Sequence, residues 1–411
     1  MVEASRSASP EAASAAAIAG LSRAPASLKA VLLLCLNIKR GALDMILPDG
    51  RTLRFGAGAP HADIAVNDPA FARRVLFSGD IGFAEGYMAG EWETGDLSAL
   101  LEIISLNLDG LTRLLRGNPL SVALNAIRHA GRRNTRAGAR RNILEHYDLG
   151  NAFYAAWLDP TMTYSSAKFD HPGEDLTSAQ LNKDRALARR LDLQPGDKVL
   201  EIGCGWGGFA EVAARDYGAR VTGLTISDAQ RDFAVARMAR LGLADKVDIQ
   251  LRDYRDVEGR FDKVASIEMF EAVGETYWPA YFGKIAEALK SGGRAALQII
   301  TIDEALFAGY RRRADFIQRY IFPGGMLPTV ARIRQEAERA GLDWDAMQTF
   351  GGSYADTLSL WGRRFAAKWD EIKTLGFDER FKRLWAFYLS YCEAGFRTRR
   401  TDVVQVGLAK A

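Results

Sequence analysis

At 411 residues the chain is long enough for one large domain or two to three smaller ones, and 48% hydrophobic residues allow a sizeable core. The 54 Lys and Arg against 51 Asp and Glu leave a net charge of +3, which excludes a chain directed wholesale at polyanions, although charge can be local. The three cysteines, Cys35, Cys204 and Cys392, have no paired spacing and the four histidines are scattered, so neither a disulfide framework nor a metal site is expected.

Residues 1–28 are dominated by Ala and Ser and read as a disordered arm. They lack the apolar stretch of a secretory signal, and the run 30–36 is too short to span a bilayer. A reducing, cytoplasmic setting is expected, with any contact with lipid made reversibly from the inner membrane surface. Residues 29–125 read as a small α+β domain. Pro48-Asp49-Gly50 predicts a hairpin turn between strands at 43–46 and 52–55. Helices are predicted over 69–78 and 97–107, flanking a Gly- and aromatic-rich segment at 82–92. Residues 126–142 carry Arg128, Arg132, Arg133, Arg136, Arg140 and Arg141 with His129. This basic linker reads either as a solvated connector or as a site for anionic phosphate headgroups. Nucleic acid is not expected, because no aromatic side chains interleave with the arginines.

The third segment, 143–411, alternates strand and helix from 195 onward. Strands are predicted at 198–202, 220–224, 247–251, 262–267 and 293–300, with helices at 207–216, 227–241 and 277–290 between them. An interruption at 301–330 precedes a helix at 330–341, an aromatic-rich helical stretch over 354–395 and a last strand at 403–408. The pattern is α/β, a doubly wound, mostly parallel sheet.

The first of these strands ends in Val199-Leu200-Glu201-Ile202-Gly203-Cys204-Gly205-Trp206-Gly207-Gly208. Its glycines let the backbone approach a ligand, and a helix start supplies free N–H groups. The third spaced glycine of the dinucleotide fingerprint is missing. E-x-G-x-G after the first strand is instead the usual look of an S-adenosylmethionine (SAM) methyltransferase. Four loops at the carboxyl ends of strands then supply fitting groups. Gly203, Cys204, Gly205, Trp206 and Gly207 approach the methionine part and ribose. Thr225, Ile226, Ser227 and Gln230 follow the second strand. Thr225 and Gln230 could bond ribose hydroxyls, while Ser227 also reads as a helix cap. In Asp253-Tyr254-Arg255 an acid can accept from the adenine amine and a ring can stack. The fourth loop is 268–274.

Several runs together carry a family resemblance. They are His146-Tyr147-Asp148-Leu149-Gly150-Asn151, Leu158-Asp159-Pro160-Thr161-Met162-Thr163-Tyr164-Ser165, the glycine turn, Met269-Phe270-Glu271, Tyr320-Ile321-Phe322-Pro323 and Ala394-Gly395-Phe396-Arg397. With these, the chain resembles the cyclopropane-fatty-acyl-phospholipid synthases and their mycolic-acid relatives. The resemblance implies a class I SAM-dependent methyltransferase fold with a smaller N-terminal α+β domain. It implies attack of a cis double bond on the SAM methyl, then loss of a proton from the resulting cation. Tyr164 and Ser165 are implied to touch SAM. A bicarbonate base is implied in the relatives, held by a Cys, a Glu, a His and a Tyr. By motif the Glu is Glu271 and the Tyr is Tyr354. The Cys and His positions fall on Ser166 and Gln298, a departure that puts the anion's geometry in doubt, and Cys392 matches a cysteine often nominated as active. The implied partner is a phospholipid bilayer with unsaturated acyl chains, and a homodimer is allowed. A methyltransferase for a small soluble metabolite and a non-catalytic binder of SAM or lipid remain as alternatives.

Overall fold

The computed structural model describes residues 9–115 and 149–411, which fall into two compact units. The first holds residues 9–115 together with 313–317 and 376–398; the second holds the other described residues. The basic linker at 126–142 and the run His146-Tyr147-Asp148 lie outside the described residues.

The first unit is built on five strands: β1 (Glu11–Ala12), β2 (Gly41–Ile46), β3 (Thr52–Ala57), β4 (His61–Val66) and β5 (Trp92–Glu93), in the order β1-β3-β2-β4-β5. The predicted hairpin joins β2 and β3 antiparallel. Gly50 takes a positive φ of 84° in its turn, where a side chain would be strained. The arm expected to be disordered is ordered over its described part. The helix Ala15–Ala19 is capped by Ser14, β1 pairs with β3, and Ile18 and Leu21 are each only 1% exposed. Two well-placed apolar side chains in an Ala-rich stretch offset the entropy that its composition suggests would win.

The helix predicted over 69–78 continues to Met88, with a break at Gly79 (φ 62°, ψ −131°). Beyond the break, Phe83 stacks on Trp92 at 4.2 Å and its carbonyl accepts from the Trp92 indole at 3.0 Å. This packing brings Gly82 against the backbone of Arg74. No helix among the described residues is long and apolar enough to cross a membrane.

The second unit contains β6 (Lys198–Ile202), β7 (Arg220–Thr225), β8 (Val247–Leu251), β9 (Phe261–Ile267), β10 (Leu289–Ile302), β11 (Leu342–Thr349) and β12 (Thr401–Lys410). Their order is β11-β12-β10-β9-β6-β7-β8. The strands from β10 to β8 pair in parallel, and β12 runs antiparallel to both its neighbours. This is the mostly parallel, seven-stranded α/β sheet that the sequence predicts. Helices Leu176–Leu191, Gly208–Asp216 and Asp228–Arg240 cover one face through Leu187, Phe209 and Met238. Helices Trp278–Ala288 and Val330–Arg339 cover the other through Trp278, Phe282 and Ile333. Burial on both faces explains why the central strands read as continuous apolar runs. The sequence did not suggest β11, an edge strand whose side chains are mostly exposed. The stretch 354–395 is divided among helices Gly351–Ala367, Trp369–Lys373 and Glu379–Arg397, the last belonging to the first unit, with Gly376 at φ 99° in the break before it.

From β6 the chain passes to β7 on one side, while β9 pairs with β6 on the other. Such a switch point opens a crevice at the carboxyl ends of the strands.

A Cβ on Gly82 would lie 2.1 Å from the Arg74 carbonyl oxygen. Gly82→Ala is therefore expected to destabilise the first unit by about 1–3 kcal/mol, the usual range for overpacking, measured by urea unfolding. A variant as stable as the parent would contradict this packing.

Candidate active site

The glycine turn closes directly after β6. The N–H groups of Gly203 and Cys204 both donate to Leu224 O, at 3.0 and 2.8 Å, and tie the turn to the end of β7. Gly203 has φ 83°, and a Cβ there would lie 2.7 Å from Met269. Gly205 has φ 52°, with no atom within 4 Å of where its Cβ would stand. The turn is thus packed on one side and open on the other, ahead of the helix Gly208–Asp216. Cys204 is buried, its side chain packed on Gly223. Trp206 donates its indole N–H to Asn151 at 2.8 Å, and Arg237 bonds Trp206 O, Thr161 O and Glu211.

Around this cradle the expected loops converge. Thr225 donates to Gln230 Oε1 at 2.8 Å. Ser227 accepts from Gln230 N at 3.3 Å, so its side chain serves as the cap of the next helix, and Ile226 lies half-buried between them. Both oxygens of Asp253 accept from Arg255, whose guanidinium lies over the Tyr254 ring at 5.6 Å. An acceptor role for Asp253 toward an adenine amine therefore uses oxygens that already carry a guanidinium. An open glycine turn, a hydroxyl–amide pair and an acid–aromatic loop at three adjacent strand ends fit SAM.

A continuous run of rings leads away from the cradle. Trp206 lies 5.0 Å from Tyr154, Tyr154 5.3 Å from Tyr164, Tyr164 5.3 Å from Trp361, and Trp361 6.3 Å from Tyr354. Ser165 extends this wall: its Oγ accepts from Lys183 Nζ at 3.2 Å and its carbonyl from Gln180 at 2.9 Å.

At the far end of the rings stands a residue that the sequence did not single out. Glu268 closes β9 in the left-handed region at φ 50°, unusual for a non-glycine residue and a mark of local strain. Its Oε1 accepts from the Ser166 backbone N–H at 2.9 Å and from Gln298 Nε2 at 2.7 Å. Its Oε2 accepts from the Tyr354 hydroxyl at 2.6 Å. Three of the four positions implied to hold a bicarbonate thus converge on a carboxylate of the chain itself. Ser166 takes part through its backbone only, since its hydroxyl donates to Ala167 O at 2.8 Å.

Glu271, the fourth position, faces elsewhere. Its Oε1 accepts from Ile300 N, and its buried Oε2 has no hydrogen-bond partner among the described residues. Burial, reinforced by repulsion from Glu268, pushes the Glu271 carboxyl up to about 8. Burial also raises Glu268, but Tyr354, Gln298, the Ser166 N–H and the Lys183 ammonium all pull it back. Three hydrogen bonds favour the ionised form of Glu268 over that of Glu271, and repulsion between the two carboxyls disfavours a second charge. Cys392 belongs to the first unit, where burial raises its thiol and keeps it neutral. The cue to Glu268 in the sequence was its position: an acid at the end of the fourth strand, three residues before Glu271.

The mycolic acid cyclopropane synthetase family profile matches residues 134–406. A tuberculostearic acid methyltransferase of Mycobacterium tuberculosis is 40% identical over 374 residues, 88% of this chain and 86% of that protein. The cyclopropane-fatty-acyl-phospholipid synthase of Escherichia coli is 37% identical over 360 residues, 85% of this chain and 88% of that one. A crystal structure of a mycolic acid cyclopropane synthase complexed with SAH and CTAB superposes with a TM-score of 0.62 at 30% identity, covering 66% of this chain and 98% of that one. Fold and cradle define a SAM-dependent methyltransferase. Within that class, the chain belongs to the mycolic acid cyclopropane synthetase family.

Gly205→Val places a branched side chain on a positive φ, in the open space of the cradle. SAM affinity by calorimetry is expected to fall at least roughly tenfold, about 1.4 kcal/mol. Unchanged affinity would remove the glycine turn from the SAM site.

Proposed function

We propose that this chain transfers a one-carbon unit from SAM to the double bond of an unsaturated acyl chain in a membrane phospholipid. In this reading Glu268 is the base that completes the reaction. The observation that carries it is the set of three donors focused on the Glu268 carboxylate at the end of the ring-lined wall. The names of the tuberculostearic acid methyltransferase and of the cyclopropane-fatty-acyl-phospholipid synthase support the acyl substrate.

SAM supplies an electrophilic methyl group on a sulfonium. An alkene is a weak nucleophile, so the protein contributes mainly orientation and exclusion of water. The rings offer an acyl chain a largely apolar surface and offer the developing cation their π faces in place of water. As the alkene π electrons bond to the methyl carbon, the carbon–sulfur bond breaks and positive charge remains on the neighbouring alkene carbon. Glu268 then takes one proton. If the proton comes from the new methyl group, a cyclopropane closes; if it comes from there after a hydride shift, a methylene branch results. Both products add one CH₂ and need no oxidant or reductant. Tyr354, Gln298 and the Ser166 N–H hold the carboxylate in place. Glu271, protonated near neutral pH, leaves that charge uncontested. Approach to the bilayer from its surface, aided by the arginines of the linker, completes the reading.

The test uses unsaturated phospholipid vesicles, free unsaturated fatty acid and labelled SAM. Wild-type protein is expected to label the vesicle lipid, as a ring or a branch resolved by mass spectrometry. Glu268→Gln keeps the shape and removes the charge, so SAM binding is expected to survive while turnover falls by about 10²-fold or more. Full activity in this variant would exclude Glu268 as the base. Label confined to free fatty acid would exclude the phospholipid substrate.

A further inference from the structure

Gln405 lies in the middle of β12, fully buried and in register with Gln298 on β10. Its amide nitrogen donates in two directions: to the Lys183 backbone carbonyl at 3.1 Å and to Gln298 Oε1 at 3.0 Å. A backbone carbonyl has no hydrogen to give, so it selects the NH₂ end of Gln405. With Gln405 so oriented, Gln298 must present its oxygen to Gln405 and its NH₂ to Glu268, where it donates at 2.7 Å. The opposite orientation of Gln298 would set an amide oxygen against a carboxylate oxygen, two acceptors with no hydrogen between them.

This order has a cost. Gln405 Oε1 is buried with no hydrogen-bond partner among the described residues, a penalty that an apolar side chain in the same place would avoid. A residue present only to fill the sheet would not need that orphan acceptor. Building on the assignment of Glu268 as base, we infer that Gln405 is a positioning residue: it fixes the Gln298 amide so that Glu268 Oε1 always meets a donor, which keeps the carboxylate ionised and able to take a proton.

The charged and titratable groups facing Glu268 are Tyr354 from the helix Gly351–Ala367, Lys183 from the helix Leu176–Leu191 and Glu271 from the turn after β9. The first two favour the charge on Glu268, and Glu271 opposes it. The Lys183 ammonium is held by other partners, Asp184 at 2.8 Å and Ser165 Oγ at 3.2 Å, so the relay through Gln298 is the part that the Gln405 side chain orients directly.

Gln405→Glu is nearly isosteric but, when ionised, donates to neither neighbour. Gln298 is then expected to turn its NH₂ toward residue 405 and its oxygen toward Glu268, which must carry a proton to meet it. The expected readout is an acidic limb of the kcat/KM–pH profile displaced upward by about one unit or more, with SAM affinity within a few fold of wild type. Adding Gln298→His to Gln405→Glu supplies an imidazolium that can donate to both carboxylates, and the limb is expected to move back. Gln405→Met, which removes the donor without adding charge, is expected to shift the limb in the same direction by less, and it serves if Gln405→Glu does not fold. Profiles superimposable on wild type for Gln405→Glu, or for Gln405→Met in its place, would overturn the inference. A fully active Glu268→Gln would overturn the base assignment itself; an inactive Glu268→Gln beside an unshifted Gln405 variant would remove only the role of Gln405.

Discussion

A charge on Glu268 would lie beside aromatic rings, and a charge taken out of water survives only where donors replace the solvent. Each neighbour of this carboxylate is held by a different element. Ser166 N–H comes from the loop before the helix Leu176–Leu191, Gln298 from the middle of β10 and Tyr354 from the helix Gly351–Ala367. The arrangement exists only when sheet, loop and helix are all in place. Thr357 secures the loop to that helix by accepting from Ala167 N at 3.1 Å. The left-handed backbone at Glu268 is the strain that this assembly sustains.

A second carboxylate lies three residues away, and two buried acids this close do not both ionise readily. The two are treated unequally: Glu268 has three donors, while Glu271 has the single N–H of Ile300. In the proposed reaction this inequality assigns Glu268 as the base and leaves Glu271 the neutral neighbour. For a reaction through a cation, that division matters. The base must stand close to the developing charge, and water, the commonest competing nucleophile, must stay out. The rings from Trp206 to Tyr354 run from the glycine turn to Glu268 and present mainly aromatic faces rather than water along that path.

Most of the second unit was legible in the sequence because its central strands are buried on both faces and its helices are punctuated by caps and glycines. The glycine turn after β6 was legible because Gly203, Gly205 and Gly207 cluster directly behind an apolar strand, and all three take positive φ. β11 was hidden because an edge strand with exposed polar side chains resembles a loop. The ordered part of the N-terminal arm was hidden because Ala and Ser outweigh Ile18 and Leu21 by composition, while burial depends on where those two point. In the site, Gln298 and Tyr354 were read from the resemblance as holders of a bound bicarbonate, and in the structure both donate to the Glu268 carboxylate. Ser166 was read by its hydroxyl, and the structure uses its backbone N–H. Glu268 could not be ranked above other acids, because its importance rests on a left-handed turn and on three donors 56 or more positions removed from one another in the sequence.

The central claim is that the chain carries its own base. The most direct measurement is turnover on unsaturated phospholipid vesicles in buffer stripped of carbon dioxide, compared with the same buffer after bicarbonate is restored. With Glu268 as the proton acceptor, the rate is the same in both. A rate that collapses on stripping and returns with added bicarbonate would contradict the account and assign the proton to a bound ion.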